Sequence, residues 1–246
     1  MVKLVGLIPV AAAAQGVPEA MVFSSARKVR EAGGITSGPR GPGGAEMTEQ
    51  DATNLLLSIT CAAQIKDAGE AARLYRFLFG TVKQHLITPG TSEPIPDKPG
   101  WGKAIPPVSR CPEPMQWLAD TAQGQTLGNA LDGMIGMARE GTLQTLFRQL
   151  ADRHVGGEGA DREARIDRAI NELGAVYLRI EFSRPRPRVV ITFGDNMMPP
   201  FLQVEFGAQS ALETSEELDR RQIGDRVVTV TVTHKTIFAL GEALRT

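Results

Sequence analysis

The spacing of apolar residues in the first 34 positions predicts two helices joined by a tight turn. The first helix is expected to stop at Gln15-Gly16, and Pro18 suits the start of the second because a first helical position needs no N–H donor. The second helix is expected to end at Gly33-Gly34, which gives a helix-turn-helix unit. The apolar positions that define the first helix are Leu4, Leu7, Ile8, Ala11 and Ala12.

A glycine- and proline-rich loop follows the second predicted helix. Residues 37–44 hold four glycines, two prolines and one arginine, a composition that excludes a helix. Ile35-Thr36 is predicted as a short strand leading into this loop. The residues from Thr48 to Asp51 have the pattern of a capping box with an acid at its third position, so another helix is expected to begin there. This element order is that of a winged helix-turn-helix domain, with the loop as the wing.

Helical spacing continues in two further segments. Residues 70–79 predict a helix that stops at Gly80. Its buried side is expected to comprise Ala71, Leu74, Phe77 and Leu78. A longer helical pattern covers residues 115–153, with breaks near Gly124 and at Gly141. Its core stripe is predicted at Leu131, Met134, Ile135 and Ala138.

From residue 175 the period of the apolar positions changes from 3.6 to 2, which predicts strands. Short connections favour one antiparallel sheet, followed by a helix over residues 235–244. The expected fold class is α+β, with an N-terminal helical winged helix-turn-helix domain, a helical middle and a small C-terminal antiparallel sheet with flanking helices. The strands are predicted at residues 176–182, 189–193, 201–206 and 227–232.

These patterns divide the chain into four parts. Residues 1–82 form the predicted winged helix-turn-helix domain, and residues 83–114 hold eight of the chain's sixteen prolines. This proline-rich segment is interpreted either as a flexible linker or as an extended strap, and two nearby tryptophans favour the strap. Residues 115–155 form a helical segment. Residues 156–246 form an α+β domain for dimerisation or effector binding, entered through a glycine-rich hinge.

The charge of the chain is unevenly distributed. The whole chain has a formal net charge of −1, which does not indicate a nucleic-acid partner. The first 45 residues, however, hold five Lys or Arg and two acids, an excess of three positive charges. No apolar run reaches the roughly 20 residues that cross a bilayer, so we expect no membrane partner and a cytoplasmic location. A processed secretory leader is the alternative, because Lys3, the apolar residues 4–10 and the alanines at 12–14 resemble one.

Residue types used in catalysis or metal binding form no recognisable pattern. The two cysteines, Cys61 and Cys111, are far apart in the sequence. The histidines, His85, His154 and His234, are also isolated, and they are interpreted as surface or capping residues. We therefore expect no enzyme activity, no metal and no cofactor.

Polar and cationic residues occupy the side of the second predicted helix that is not apolar. Hydroxyl and cationic groups on a recognition helix contact base edges and phosphates, and an arginine in the wing is suited to a phosphate backbone or a minor groove. The candidate DNA-binding residues are Ser24, Arg27, Lys28, Arg30 and, in the wing, Arg40. A second set, Arg184, Arg186 and Arg188, alternates with prolines. It is interpreted either as a further phosphate contact or as a solvated hairpin that protects a sheet edge.

Several of these segments together resemble a known class of protein. Residues 15–20 and 26–33, the Gly/Arg loop and residues 47–52 are similar to the N-terminal module of uncharacterised winged helix-turn-helix regulators of bacteria and prophages. The chain departs from that pattern at Ser25, where an apolar anchor is usual, and at Pro39 and Pro42 in the wing. The resemblance implies a DNA-binding transcriptional regulator of phage or mobile-element origin. Its partner would be double-stranded DNA, bound by a homodimer, because one winged helix needs a second copy to reach specific affinity.

Rival functions stay open on the sequence alone. A non-enzymatic interaction protein, such as a phage assembly or adaptor protein, would use the N-terminal helices and the proline-rich segment to bind protein. Plain helical packing accounts for the same N-terminal pattern without any ligand. An enzyme built on the C-terminal sheet would need convergent titratable groups, which the sequence does not indicate.

Overall fold

The computed structural model describes residues 2–38, 44–81, 111–120, 125–155, 161–172, 174–196, 200–207 and 227–245. The helices in these ranges are α1 (Leu4–Gln15), α2 (Glu19–Glu31), α3 (Glu49–Cys61), α4 (Ala68–Arg76), α5 (Glu113–Asp120), α6 (Leu127–Glu140), α7 (Thr142–Asp152), α8 (Arg162–Asn171) and α9 (His234–Arg245). A 3-10 turn spans Ile65–Asp67. The strands are β1 (Phe79–Thr81), β2 (Val176–Arg184), β3 (Arg188–Asp195), β4 (Leu202–Gly207) and β5 (Val228–Thr233).

The strands form one antiparallel sheet in the order β1-β4-β3-β2-β5. Ile180 on β2 is paired with Ile191 on β3 and with Val232 on β5, so apolar side chains form rows across the strands. These rows are buried, and α3, α7, α8 and α9 contact β2. The predicted combination of helices with an antiparallel sheet is thus confirmed, and so are the four predicted strands and the closing helix.

The two N-terminal helices and the turn between them are confirmed. Gly16 adopts φ 63°, a left-handed conformation that glycine tolerates at a helix end, and its N–H points back at the carbonyls of Ala12 and Ala13. Pro18 caps α2 rather than occupying its first turn. Chain direction therefore changes between α1 and α2 within three residues, as a helix-turn-helix requires.

The capping box at the start of α3 is also confirmed. The Thr48 side chain accepts a hydrogen bond from the Asp51 N–H, while the Asp51 carboxylate accepts one from the Thr48 N–H. The other oxygen of Asp51 accepts the N–H of Thr36 at 2.7 Å. The prediction of a strand at Ile35-Thr36 is wrong, because Ile35 is buried in the core and the Thr36 N–H bonds to this side chain instead of to a neighbouring strand.

The predicted buried side of α4 is only partly right. Leu78 just beyond the helix is buried, but Leu74 and Phe77 are 49% and 59% exposed. The helix instead buries Ala68, Gly69, Ala72 and Tyr75. A Cβ on Gly69 would lie 2.9 Å from the Lys28 carbonyl oxygen, so small residues are needed where α4 packs against α2. The side of α4 that faces inward is therefore the one whose small residues allow close contact with α2, and not the one with the largest apolar residues.

The helical middle follows the prediction. Helices α6 and α7 are separated at Gly141, which adopts φ 84°. The predicted core stripe is buried at all four positions, Leu131, Met134, Ile135 and Ala138. Of the proline-rich segment only residues 111–114 are described, and the glycine hinge at 156–159 lies outside the described residues. Among the described residues, no helix has the length and apolar content needed to cross a bilayer.

Contacts join the parts into which the sequence was divided. Helix α3 is buried along its length from Asp51 to Cys61 and packs against α6 and β2. Strand β1, at the end of the predicted first domain, pairs with β4. Helix α9 packs against α1 and α6, and the Thr236 hydroxyl is 3.3 Å from the Ala14 carbonyl oxygen. The four-part division stays a prediction, and one continuous apolar core spans the described parts.

Candidate functional site

Helix α2 buries one side and exposes the side that carries the predicted DNA-binding residues. Val22, Ala26 and Val29 are buried at helical spacing and hold α2 against its neighbours. Ser25 lies on the same buried side, so a small residue replaces the expected apolar anchor. The four candidates on this helix lie outside that side, with Arg27 and Arg30 exposed and Ser24 and Lys28 half-buried. The predicted DNA-binding side chains on α2 are therefore accessible to solvent, as those of any interface must be.

One acid restrains two of these cations. The Arg27 Nε donates to Glu31 Oε1 at 2.9 Å, and the Lys28 Nζ donates to Oε2 at 2.7 Å. The hydrogen bond from Lys28, followed by that from Arg27, lowers the pKa of Glu31, so this carboxylate stays charged at neutral pH. Arg30 has no ion-pair or hydrogen-bond partner among the described residues. Three cations and one acid thus share the last two turns of α2.

The exposed side of α2 also carries an aromatic ring that sequence reasoning missed. Phe23 is 59% exposed and precedes Arg27 by four residues and Arg30 by seven, a spacing that places all three on neighbouring parts of the helix surface. An aromatic residue in an amphipathic helix is expected inside. The sequence did hold one indication that Phe23 is exposed: it lies one residue away from the apolar stripe of Val22, Ala26 and Val29. An exposed ring beside cations can stack on a base or pack against an apolar protein surface.

The chain between α2 and α3 leaves the core from a fixed point. Gly34 presents its carbonyl oxygen to the Asn54 side-chain amide at 2.6 Å, and Thr36 is held by Asp51. Both anchoring side chains belong to α3 and are buried. The first part of the predicted wing is therefore attached to α3, a helix that is buried from Asp51 to Cys61.

The returning part of the same loop is fixed against the chain's first residues. The Met47 N–H donates to the Val2 carbonyl oxygen at 2.9 Å. Gly38 and Ala45 approach so closely that a Cβ on Gly38 would lie 2.4 Å from the Ala45 nitrogen. Residues 38 and 45 therefore form a closed base for the loop. Arg40 lies within residues 39–43, outside the described residues.

The arginine-proline run forms the turn between β2 and β3. Arg184 donates from Nη1 to the Ala62 carbonyl oxygen, and Arg188 forms two hydrogen bonds to Glu205, at 2.6 and 2.9 Å. Arg186 has an interaction of its own as well. The run is a hairpin, as one interpretation held, but it joins two inner strands and so does not protect a sheet edge. Arg184 and Arg188 already bond within the protein, whereas the Arg30 side chain has no partner among the described residues, so α2 is the stronger candidate for phosphate contacts.

A cavity of about 650 Å³ opens where this hairpin approaches α4. The Tyr75 hydroxyl beside it donates to the Ser183 carbonyl oxygen at 2.6 Å and ties α4 to β2. Burial raises the pKa of Tyr75 and also that of the Cys61 thiol, so both groups are protonated at neutral pH. The lining residues are Cys61, Ala63, Asp67, Glu70, Ala71, Leu74, Tyr75, Arg184, Pro185, Pro187 and Val228.

The histidines do not converge on this cavity. His154 pairs with Asp195 at 3.4 Å, and His85 lies outside the described residues. The interpretation of His234 as a surface or capping residue is wrong, because it is 5% exposed and its ring packs against Phe147 and Phe238. In the part of the chain that is described, no group of three or more His, Cys, Asp or Glu side chains is placed to hold a metal ion.

Comparison of the chain with protein-family models, with curated proteins and with solved structures gives no match.

Proposed function

We propose that the protein is a DNA-binding transcriptional regulator that acts as a dimer, with α2 as its recognition helix. The observation that carries the proposal is the set of accessible cations, Arg27, Lys28 and Arg30, on the second helix of a helix-turn-helix unit. In such units the second helix enters the major groove, where arginine and lysine contact guanine edges and phosphates. Ser24 adds a hydroxyl on the same accessible part of the helix.

The loop after α2 supports this proposal as a wing. Its base is closed at residues 38 and 45, and both ends are bonded to the core or to the first residues of the chain. A loop held in this way presents its tip from a fixed position, so little conformational entropy is lost at the base on binding. Arg40 would add the contact to the phosphate backbone or minor groove.

The charge pattern of α2 predicts modest affinity for a single copy. Glu31 pairs with both Arg27 and Lys28, so DNA must compete with this carboxylate for two of the three cations. Two copies bound to adjacent half-sites offset this weakness, because the second contact is then intramolecular. Dimerisation is therefore an integral part of the proposed function.

Substitutions on α2 test the proposal in opposite directions. Replacing Arg27, Lys28 and Arg30 together by Ala should weaken binding to duplex DNA more than tenfold and make it less salt-dependent, since each lost phosphate contact lowers the slope by about 0.9. Glu31→Gln should tighten binding several-fold, because it frees two cations and removes a repelling charge. Both effects are measured by fluorescence anisotropy on genomic fragments over a range of salt concentrations.

A second exposed ion pair of the same spacing provides the control. Arg168 and Glu172 on α8 form an i,i+4 pair like that of Arg27 and Glu31. Glu172→Gln changes the net charge by the same single step as Glu31→Gln, and Arg168→Ala is matched to the single variant Arg27→Ala. Both substitutions at this pair should leave DNA binding almost unchanged. Equal effects at α8 and α2, or no salt-dependent binding by the wild-type protein, would exclude α2 as the recognition helix.

A protein-interaction function is the second candidate, and the exposed apolar residues favour it. Helix α1 contains no charged residue and exposes Val5 to 79%, although the first helix of a DNA-bound unit crosses the phosphate backbone. Phe23 is exposed on the adjacent α2. If the α2 alanine variant still captures its partner while Phe23→Ala does not, and the binding is insensitive to salt, the partner is a protein.

A further inference from the structure

We propose that the cavity between α4 and the β2–β3 hairpin binds a small apolar molecule that carries an ammonium group. Its volume of about 650 Å³ lies within the range of roughly 300–1,000 Å³ that is usual for small-molecule sites. Such sites combine apolar walls with a few polar groups that orient the ligand. The apolar walls here come from Ala63, Ala71, Leu74, Pro185, Pro187 and Val228.

Leu74 indicates that the apolar wall is incompletely covered. It lines the cavity and is 49% exposed, so about half of the side chain is accessible to a ligand. A bound apolar group would remove part of this side chain from water, and burial of apolar surface favours binding. The same argument applies to Val228, which lies half-buried at the start of β5.

The charge of the cavity favours a cation over an anion. Asp67 and Glu70 are three residues apart at the start of α4, a spacing that places them side by side. Neither carboxylate has an ion-pair partner among the described residues. Arg184 is the cation in the lining, and its hydrogen bond to the neutral Ala62 carbonyl oxygen leaves its charge in place, so two carboxylates and one guanidinium give the lining a net charge of −1. A ligand ammonium would therefore meet two carboxylates that form no ion pair with a described residue, in a cavity of net negative charge.

Cys61 gives an independent indication of a ligand. Its side chain is only 5% exposed, lines the cavity and has no hydrogen-bond partner among the described residues. A buried thiol is a weak donor and a polarizable surface that suits an apolar group. The cavity thus offers carboxylates for an ammonium and, at Cys61, a buried surface for an apolar body.

Occupancy of the cavity has a direct route to α2. Gly69 lies between Asp67 and Glu70 in the sequence, and a Cβ there would be 2.8 Å from the Ala32 Cβ and 2.9 Å from the Lys28 carbonyl oxygen. A ligand held by both carboxylates therefore acts on the turn of α4 that touches the recognition helix. An effect on DNA affinity rests on the proposed function, whereas binding in the cavity does not.

The test compares two probes with the same apolar body and opposite charge. Isothermal titration calorimetry of the full chain uses 2-phenylethylamine, a cation, and 3-phenylpropanoate, an anion. The amine should bind at least tenfold more tightly than the carboxylate. The double variant Asp67→Asn, Glu70→Gln should lose at least tenfold in amine affinity. The matched control Glu140→Gln, Glu172→Gln, which removes two exposed acids elsewhere, should not.

A cavity-filling variant locates the binding site. Ala71→Phe places a ring in the cavity from a half-buried position on α4 and should abolish amine binding, with circular dichroism confirming that the fold is retained. No heat of binding with the amine, tighter binding of the carboxylate, or unchanged amine binding in Ala71→Phe would each overturn the proposal. Because calorimetry is done without DNA, these results are independent of whether α2 binds DNA.

Discussion

His234 is a buried titratable residue whose two ring nitrogens lack hydrogen-bond partners. Its ring lies 4.8 Å from that of Phe147 and 5.4 Å from that of Phe238, measured between centroids. Burial, with a smaller contribution from Lys235, lowers the pKa of His234 to about 4 from an ordinary 6.5. The neutral imidazole is therefore part of the folded state, and protonating it is unfavourable.

This residue predicts a loss of stability in mild acid. Between pH 6.5 and about 4 the unfolded chain binds a proton at His234 that the folded chain does not, so the free energy of unfolding falls as pH falls. The contribution is at most about 3 kcal/mol. Urea unfolding of His234→Phe should show a flatter pH dependence than the wild type. His154→Gln separates the contribution of the pair with Asp195, and an identical slope in His234→Phe would contradict the prediction.

Residue-level features were predictable where their cause is local. The capping box at Thr48 and Asp51 depends on four consecutive residues, and its hydrogen bonds follow the prediction. The environments of Phe23 and His234 depend on helices that are distant in the sequence. The position of Phe23, one residue off the buried stripe of α2, was a local signal of its exposure, whereas the burial of His234 has no signal in its neighbouring residues.

Among the described strands, β5 lies at an edge of the sheet. It pairs with β2 on one side, and no described strand pairs with its other side. Its six residues alternate Val and Thr, with no charge and no proline, whereas edges that avoid association carry such residues. Pairing between two β5 strands would join two sheets into one, and this is the route by which we expect the C-terminal part to dimerise.

Charges on β5 test this route. Thr229 and Thr231 are exposed, so replacing both by Lys should be tolerated in the fold and should shift the protein from dimer to monomer in sedimentation velocity experiments. Thr192→Lys, on the inner strand β3, is the matched control and should leave the dimer intact. A wild-type protein that is monomeric at all concentrations, or a dimer that persists in the Lys variant, would exclude this interface.

Among the helices and strands, the spacing of apolar residues predicted elements that are regularly buried on one face. It missed an element too short to show a period and a side chosen by close packing. The alternation from Val176 to Phe182 gave β2 correctly, because one face of that strand is buried. Strand β1 is only three residues long, too short to show a period, and its first residue, Phe79, was the last residue of a predicted helix. The buried side of α4 was predicted wrongly because large apolar residues were assumed to face inward. The side that packs against α2 is instead the one that carries Gly69, since a larger residue there would clash.

The whole molecule depends on contacts between its ends. In a fragment of residues 1–82, three surfaces would lose the elements that cover them in the full chain. Helix α3 would lose α6, α1 would lose α9, and β1 would lose its partner strand β4. We expect this fragment, expressed alone, to lack a cooperative thermal transition in circular dichroism, whereas the full chain shows one. A sharp transition in the fragment would establish residues 1–82 as an independent domain. The sequence indicated the fold class but not this dependence, since contacts between distant residues leave no local pattern.

The packing of α9 against α1 also bears on how the protein is made. The apolar side of α1, including Leu7, Ile8 and Ala11, is synthesised before α9, the helix at residues 234–245 that covers part of it. During translation this apolar surface therefore stays uncovered until α9 has emerged from the ribosome. Nascent chains should be clients of holding chaperones while α1 has emerged and α9 has not, and mutations in α9 should reduce the yield of soluble protein more than its activity.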